Sequence, residues 1–144
     1  MATVSWGTPA PLGMHPAISG VASITNNSRQ LGATINPSGY LYSAWQFFSQ
    51  YSLAPTGSIE LYAVPSLDNG TTFNTGDANV DPSFNNLIGV FTLWGNANSG
   101  MTSSVLNVVN SPLLFKPMLI NRSGSTIPAN SGALSVVFYN QIVS

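Results

Sequence analysis

The sequence predicts an all-β chain, a two-sheet β-sandwich of jelly-roll type with an extended N-terminal arm. Three observations predict it. Apolar residues alternate with polar ones over short segments, as in half-buried strands. Clusters of Gly, Asn, Ser and Pro punctuate those segments at regular spacing. No segment carries a clear helical pattern. Roughly eight strands joined by long loops favour a jelly roll over an immunoglobulin-like sandwich.

The arm occupies residues 1–17 and the sandwich residues 18–144. In the arm, Pro9, Pro11 and Pro16 fix φ and lack backbone donors, which forbids a helix. Val4 and Trp6 alternate with Thr3 and Ser5 as in a short strand, and Trp6 is a large apolar anchor. Strands are then expected at 18–25, ended by Asn26-Asn27-Ser28, and at 31–35, ended by Asn36-Pro37-Ser38-Gly39. Residues 40–53 are the strongest candidate. Leu41, Trp45, Phe47 and Tyr51 share one parity, and Tyr40, Tyr42, Phe48 and Gln50 the other. Aromatics on both faces place this strand centrally in a sheet. Its apolar bulk would also suit a helix, but aromatic enrichment and flanking Pro and Gly favour a strand.

Residues 59–64 alternate again, and Pro65 ends them. Ser66-Leu67-Asp68-Asn69-Gly70 reads as a turn, and 74–86 as a polar loop. Further strands are expected at 87–94, 103–109, 113–120 and 133–143, the last with Leu134, Val136, Phe138 and Ile142 on one side.

Composition narrows the function. Only seven of the 144 residues are charged, 5% against about 25% in an average domain. Polarity comes instead from 20 Ser, 15 Asn and 11 Thr. Such a chain suits a β-rich protein whose surface meets other protein surfaces. One domain of this length buries about 68% of its unfolded surface. Net charge is −1, so little self-repulsion opposes association. Arg29, Lys116 and Arg122 cannot build a phosphate-neutralising stripe, so no nucleic-acid partner is expected. No apolar run approaches the roughly 18 to 20 residues of a spanning helix, so no membrane partner is expected either. The absence of Cys excludes disulfides and thiolate chemistry. No basic region followed by an apolar stretch opens the sequence, so synthesis in a cytoplasm is expected.

Catalytic signatures are missing, and no enzyme activity and no cofactor are expected. His15, the single histidine, lies between Met14 and Pro16, where an oriented triad is implausible. It reads as a surface or interface residue of the arm. The acids are Glu60, Asp68, Asp77 and Asp81. Their spacing does not define a carboxylate pair of the glycosidase kind; an outward strand position for Glu60 and turn chemistry for the aspartates are the simpler readings. Asp77, Asn79 and Asp81 begin like a calcium loop, but position six is Pro82 rather than Gly and position twelve Ile88 rather than Glu. An ordinary polar loop is expected there, with no metal. Three Asn-x-Ser/Thr matches begin at Asn26, Asn69 and Asn121. With so many of these residues they arise by chance. The aromatics between Tyr40 and Tyr51 suit sugar or base stacking, but core plus subunit contact explains them as well.

Two segments carry a resemblance. Val4-Ser5-Trp6-Gly7-Thr8-Pro9 resembles the start of a class of small virion proteins of tailed bacteriophages. Residues 57–73, in which a Tyr62-containing strand runs into Ser66-x-Asp68-x-Gly70, look like their strand-and-turn segment. The resemblance spans most of the chain and its motifs are structural. It implies a jelly-roll capsid decoration, or cement, protein on the virion surface. Its partners would be the major capsid protein and further copies of itself, a trimer being the expected homo-oligomer. Val4, Trp6 and His15 would be partner-binding residues of the arm. A carbohydrate-binding tail or fibre module is the alternative. It predicts an exposed aromatic near the loops at 74–86 and 95–102, with Phe73, Phe84 and Trp94 as candidates.

Overall fold

The computed structural model describes residues 4–6, 15–18, 23–50, 55–73, 81–93, 100–103 and 105–143. Eleven strands lie among them: β1 (Val4–Trp6), β2 (His15–Ile18), β3 (Arg29–Leu31), β4 (Tyr42–Gln50), β5 (Ser58–Pro65), β6 (Leu87–Thr92), β7 (Gly100–Thr102), β8 (Leu106–Val109), β9 (Phe115–Arg122), β10 (Gly132–Tyr139) and β11 (Gln141–Val143). A 3-10 turn, Phe84–Asn86, precedes β6.

The pairing is antiparallel and nested. β1 pairs with β11, β2 with β10, β3 with β9, β4 with β7 and β8, and β5 with β6. The described strands therefore form one long hairpin whose tip is the β5–β6 connection. Rolling that hairpin lays β10 along β4 and β9 along β5. The products are a five-stranded sheet, β2-β10-β4 with β7 and β8 sharing the far edge of β4, and a four-stranded sheet, β3-β9-β5-β6. The outermost pair stands as a separate two-stranded sheet. This is the strand order of a jelly roll, the expected fold.

β4 sits centrally, as its two-faced aromatic pattern predicts. Ser43, Trp45, Phe47 and Ser49 point into the core, and the even-numbered residues point outward. Between the sheets, Trp45 meets Phe115 with ring centroids 6.1 Å apart, and Phe47 meets Phe91 at 6.1 Å. Such aromatic pairs add to the burial energy of each ring. Ile59, Leu61, Leu119, Leu134 and Val136 complete this core. Burying one such side chain is worth about 1.5–3 kcal/mol.

Several expected strands end earlier or break, each for a local reason. Residues 18–25 are not one strand: β2 ends at Ile18, and Ile24 makes a lone bridge to Ile127. The strand expected at 31–35 lies at 29–31, with a single bridge at Ile35. Gly32 donates to the Pro117 carbonyl at 2.7 Å, but Pro117 has no N–H to return the bond, so the ladder stops. The strand expected at 103–109 is shortened to β8, and β7 precedes it within the loop expected at 95–102. Ser103 fills the gap along β4: its N–H donates to Phe47 O at 2.8 Å, and its hydroxyl accepts from Phe47 N at 2.9 Å. A side chain thus supplies the missing rung.

The strand expected at 113–120 is shifted to 115–122. The last expected strand breaks at Asn140. Its side chain accepts from Leu41 N and donates to Gly39 O, both at 2.7 Å, which holds the turn before β4. The chain beyond Asn140 departs as β11.

The outer face of the four-stranded sheet is covered in part by Phe73 and Leu87. Tyr62, Val64, Met118 and Ile120 are buried there, with Phe73 and Leu87 packed on them. Lys116 Nζ lies 4.2 Å from the centroid of the Phe73 ring, a cation–π contact.

Candidate functional site

At the open edge of the sandwich, between β6 and β8, the sheets part around a cleft of about 370 Å3. Trp45 and Phe115 line its buried depth, and Ile88 and Val108 its sides. Asn85, Asn86, Asn110 and Ser111 line its mouth. None of its lining residues is charged. Gly89 sets how closely the edge shuts beside the cleft. A Cβ there would come within 2.7 Å of Leu106 Cδ1, so glycine admits Leu106 against β6.

The deep polar groups satisfy one another. Trp45 Nε1 donates to Ser43 Oγ at 2.8 Å, Ser43 Oγ donates to Asn110 Oδ1 at 2.6 Å, and Asn110 Nδ2 donates to Tyr40 O at 3.1 Å. This chain fixes the Asn110 amide. Asn85 and Asn86, by contrast, make no side-chain hydrogen bond with the described residues. Their donors and acceptors remain open at the mouth. Phe84, on the same 3-10 turn, is 77% exposed. Its ring is not part of the cleft lining, so the turn presents an exposed aromatic outside the cleft and two unengaged amides at its mouth.

Charge is concentrated elsewhere. Asp81 meets Arg29 at 3.0 Å and Arg122 at 2.6 Å, and Arg122 Nε lies 3.5 Å from Glu60. Tyr62 donates to Glu60 at 3.2 Å, and Arg122 donates to Asn27 Oδ1 at 3.0 Å. Four of the seven charged residues therefore form one cluster on the outer face of the four-stranded sheet. Burial opposes the Arg122 charge, but Asp81 and then Glu60 hold its pKa above the ordinary value. The Tyr62 pKa is raised by burial first and by the neighbouring Glu60 second. These partly exposed pairs are each worth about 1 kcal/mol or less.

The expected site residues fall as follows. Val4 and Trp6 lie on β1 and pair with Val143 and Gln141. His15 lies on β2 opposite Val136. The side chains of Val4, Trp6 and His15 lie outside what the structure describes. Glu60 points outward from its strand, as expected. Asp68 does turn chemistry, accepting from Thr72 N, Thr72 Oγ1 and Ser66 Oγ. Those bonds, Thr72 foremost, lower its pKa to about 2. Asp81 departs from the turn reading, since both its oxygens face guanidinium groups. Asp77 and Asn79 lie outside the described residues, as does Trp94. Among the described residues, no group of three or more potential metal ligands converges. Asn121 is fully buried, which bars glycosylation of the folded chain. Of the candidate aromatics, Phe73 packs against Lys116, whereas Phe84 stands free in solvent.

Sequence reasoning placed Asn85 and Asn86 in a polar loop and missed their partners. Asn110 and Ser111 are 25 residues away and reach the same mouth only through the roll of the hairpin; their signal, an amide and a hydroxyl in a turn, is shared by most loops of this chain.

No known family model matches this chain, and no curated protein matches it. Among solved structures, it is similar to a carbohydrate-binding module, CBM36, in complex with calcium and xylotriose. The TM-score is 0.45 at 11% identity, over 96% of this chain and 99% of that one.

Proposed function

We propose that the protein is a non-catalytic binding module that takes a neutral carbohydrate at the cleft between β6 and β8. One observation carries this reading: exposed Phe84 shares a 3-10 turn with Asn85 and Asn86, whose unengaged amides line the mouth of an uncharged cleft. The C–H face of a pyranose stacks on an aromatic ring, and its hydroxyls match amide donors and acceptors. The ligand is neutral because no cation lines the site. Arg29 and Arg122 are held by Asp81, and Lys116 lies over Phe73. A glycan array probed with the wild-type chain and with Phe84→Ala tests the reading. Retention of neutral glycans, lost in a variant with an unchanged melting temperature, is expected. No retention, or retention of anionic glycans alone, would refute it.

A second reading is virion decoration, in which the module lies on an assembled capsid and stabilises it by binding that state. Large apolar side chains scattered over the surface, among them Leu31, Leu41 and Leu67, favour it, together with the resemblance of residues 4–9 and 57–73. Imaging the source virion by cryo-electron microscopy tests it. Many copies over the icosahedral faces would support decoration, and density confined to the tail would favour the carbohydrate reading.

A further inference from the structure

The two outer sheet faces differ sharply. That of the four-stranded sheet has Phe73 and Leu87 packed on it and carries Arg29, Glu60, Lys116 and Arg122. That of the five-stranded sheet carries no charged residue among those described. Its register sets Tyr42 beside Tyr139, Ala44 beside Val137, Gln46 beside Ser135, and Phe48 beside Ala133. The Tyr42 and Tyr139 rings stack with centroids 5.5 Å apart, and the Tyr139 hydroxyl donates to Asn107 Oδ1 at 3.2 Å. Phe48 is 44% exposed and Val109, beside Tyr42, 72% exposed.

We propose that two copies of this chain meet through this face, each presenting the same patch to the other. Charge matching is the argument. A partner bearing charge would leave it buried and unpaired against these neutral groups, which is strongly unfavourable. The partner face must therefore be neutral too. Of the two outer sheet faces, only this one meets that requirement, so the patch is complementary to itself. An aromatic and aliphatic centre, Tyr42, Tyr139, Phe48 and Val137, is bordered by amides and hydroxyls, the usual anatomy of a subunit contact. A net charge of −1 leaves little long-range repulsion to overcome. The same patch on both partners implies two-fold symmetry. The patch borders the carbohydrate cleft at Val109, which lines both, whereas Phe48 and Ser135 lie outside the cleft lining, so their substitution leaves the cleft intact.

Sedimentation velocity over a concentration series tests the proposal on the wild-type chain, Phe48→Lys and Ser135→Lys, with thermal melts as a folding control. The expected result is a wild-type dimer. Each variant should weaken association by about a hundredfold or more, because an unpaired charge is buried at the contact. Melting of the variants should stay close to wild type when all are monomeric. Ser135→Lys, replacing an outward polar residue, keeps the test valid should Phe48→Lys fold poorly. A wild-type monomer at every concentration would overturn the proposal and assign the face to another occupant. So would a dimer that survives both substitutions. A closed trimer would also overturn it, since it uses two different patches on each copy.

Discussion

Replacing Asn121 by Leu should destabilise the fold by about 3 kcal/mol, and the structure says where that figure arises. The Asn121 side chain is fully buried and uses all of its hydrogen-bonding capacity. Nδ2 donates to Ile24 O and Ser125 O, both at 2.8 Å. Oδ1 accepts from Ser123 N at 3.0 Å and from Ser123 Oγ at 2.6 Å. Leucine keeps the volume and removes every bond. The Ile24 carbonyl retains the Ile127 N–H, and the Ser123 hydroxyl, released from Asn121, can turn to the Ser125 carbonyl 3.0 Å away. The buried Ser123 N–H retains nothing, and an orphaned buried donor costs about 1–3 kcal/mol. The two amide donations lost add about 1 kcal/mol together, given those remaining partners. For a domain of this size, the sum lowers the melting temperature by about 10 °C. In urea, the midpoint should fall by about 1.5 M at unchanged slope. Ser123→Ala leaves the backbone N–H bonded to Asn121 and should cost only about 1 kcal/mol. A fall below about 2 °C for Asn121→Leu would refute the account, as would equal losses for the two variants.

Three further outcomes are expected. Tyr62 has a raised pKa in the folded chain, so its contribution is full below the ordinary tyrosine value of 10.0 and is lost as pH rises through the folded value; melts across that alkaline range should decline less steeply in Tyr62→Phe. Asp68 is shifted the other way, so its contribution is full above 3.8 and disappears as pH falls through about 2. Thr72→Val should move the Asp68 titration, followed by NMR, back toward 3.8. Gly57→Ala should destabilise by roughly 2–3 kcal/mol in chemical denaturation, since its Cβ would collide with the Arg122 carbonyl oxygen, which is backbone and cannot swing aside.

The fold was largely legible from local signals. The parity of Trp45 and Phe47 against Tyr42 and Phe48 identified the central strand, and Pro65 marked the end of β5. What escaped were features set by distant partners. Nothing local to Leu31 reveals that Pro117 will stand opposite Gly32 and withhold a donor. Likewise Asn140 resembles any strand residue until Leu41 and Gly39 are brought beside it. The site was legible in part. Phe84 was one of three candidate aromatics because of its polar loop, but exposure separates it from Phe73 only once Lys116 is in place. The convergence of Glu60, Asp81, Arg29 and Arg122 needs three strands and a long connection in register, and their separations along the chain carry no trace of it.

The nested pairing has a mechanical consequence. Val4 is opposite Val143 and Trp6 opposite Gln141, so the two ends of the described chain leave from the same end of one antiparallel ladder. A load applied between them pulls across the rungs and not along them. The rungs then fail one after another, from the β1–β11 pair inward, at lower force than a ladder loaded in shear, where they must all break together. A module loaded through both its ends would yield progressively; one held at one end and gripped at the β6–β8 edge would not.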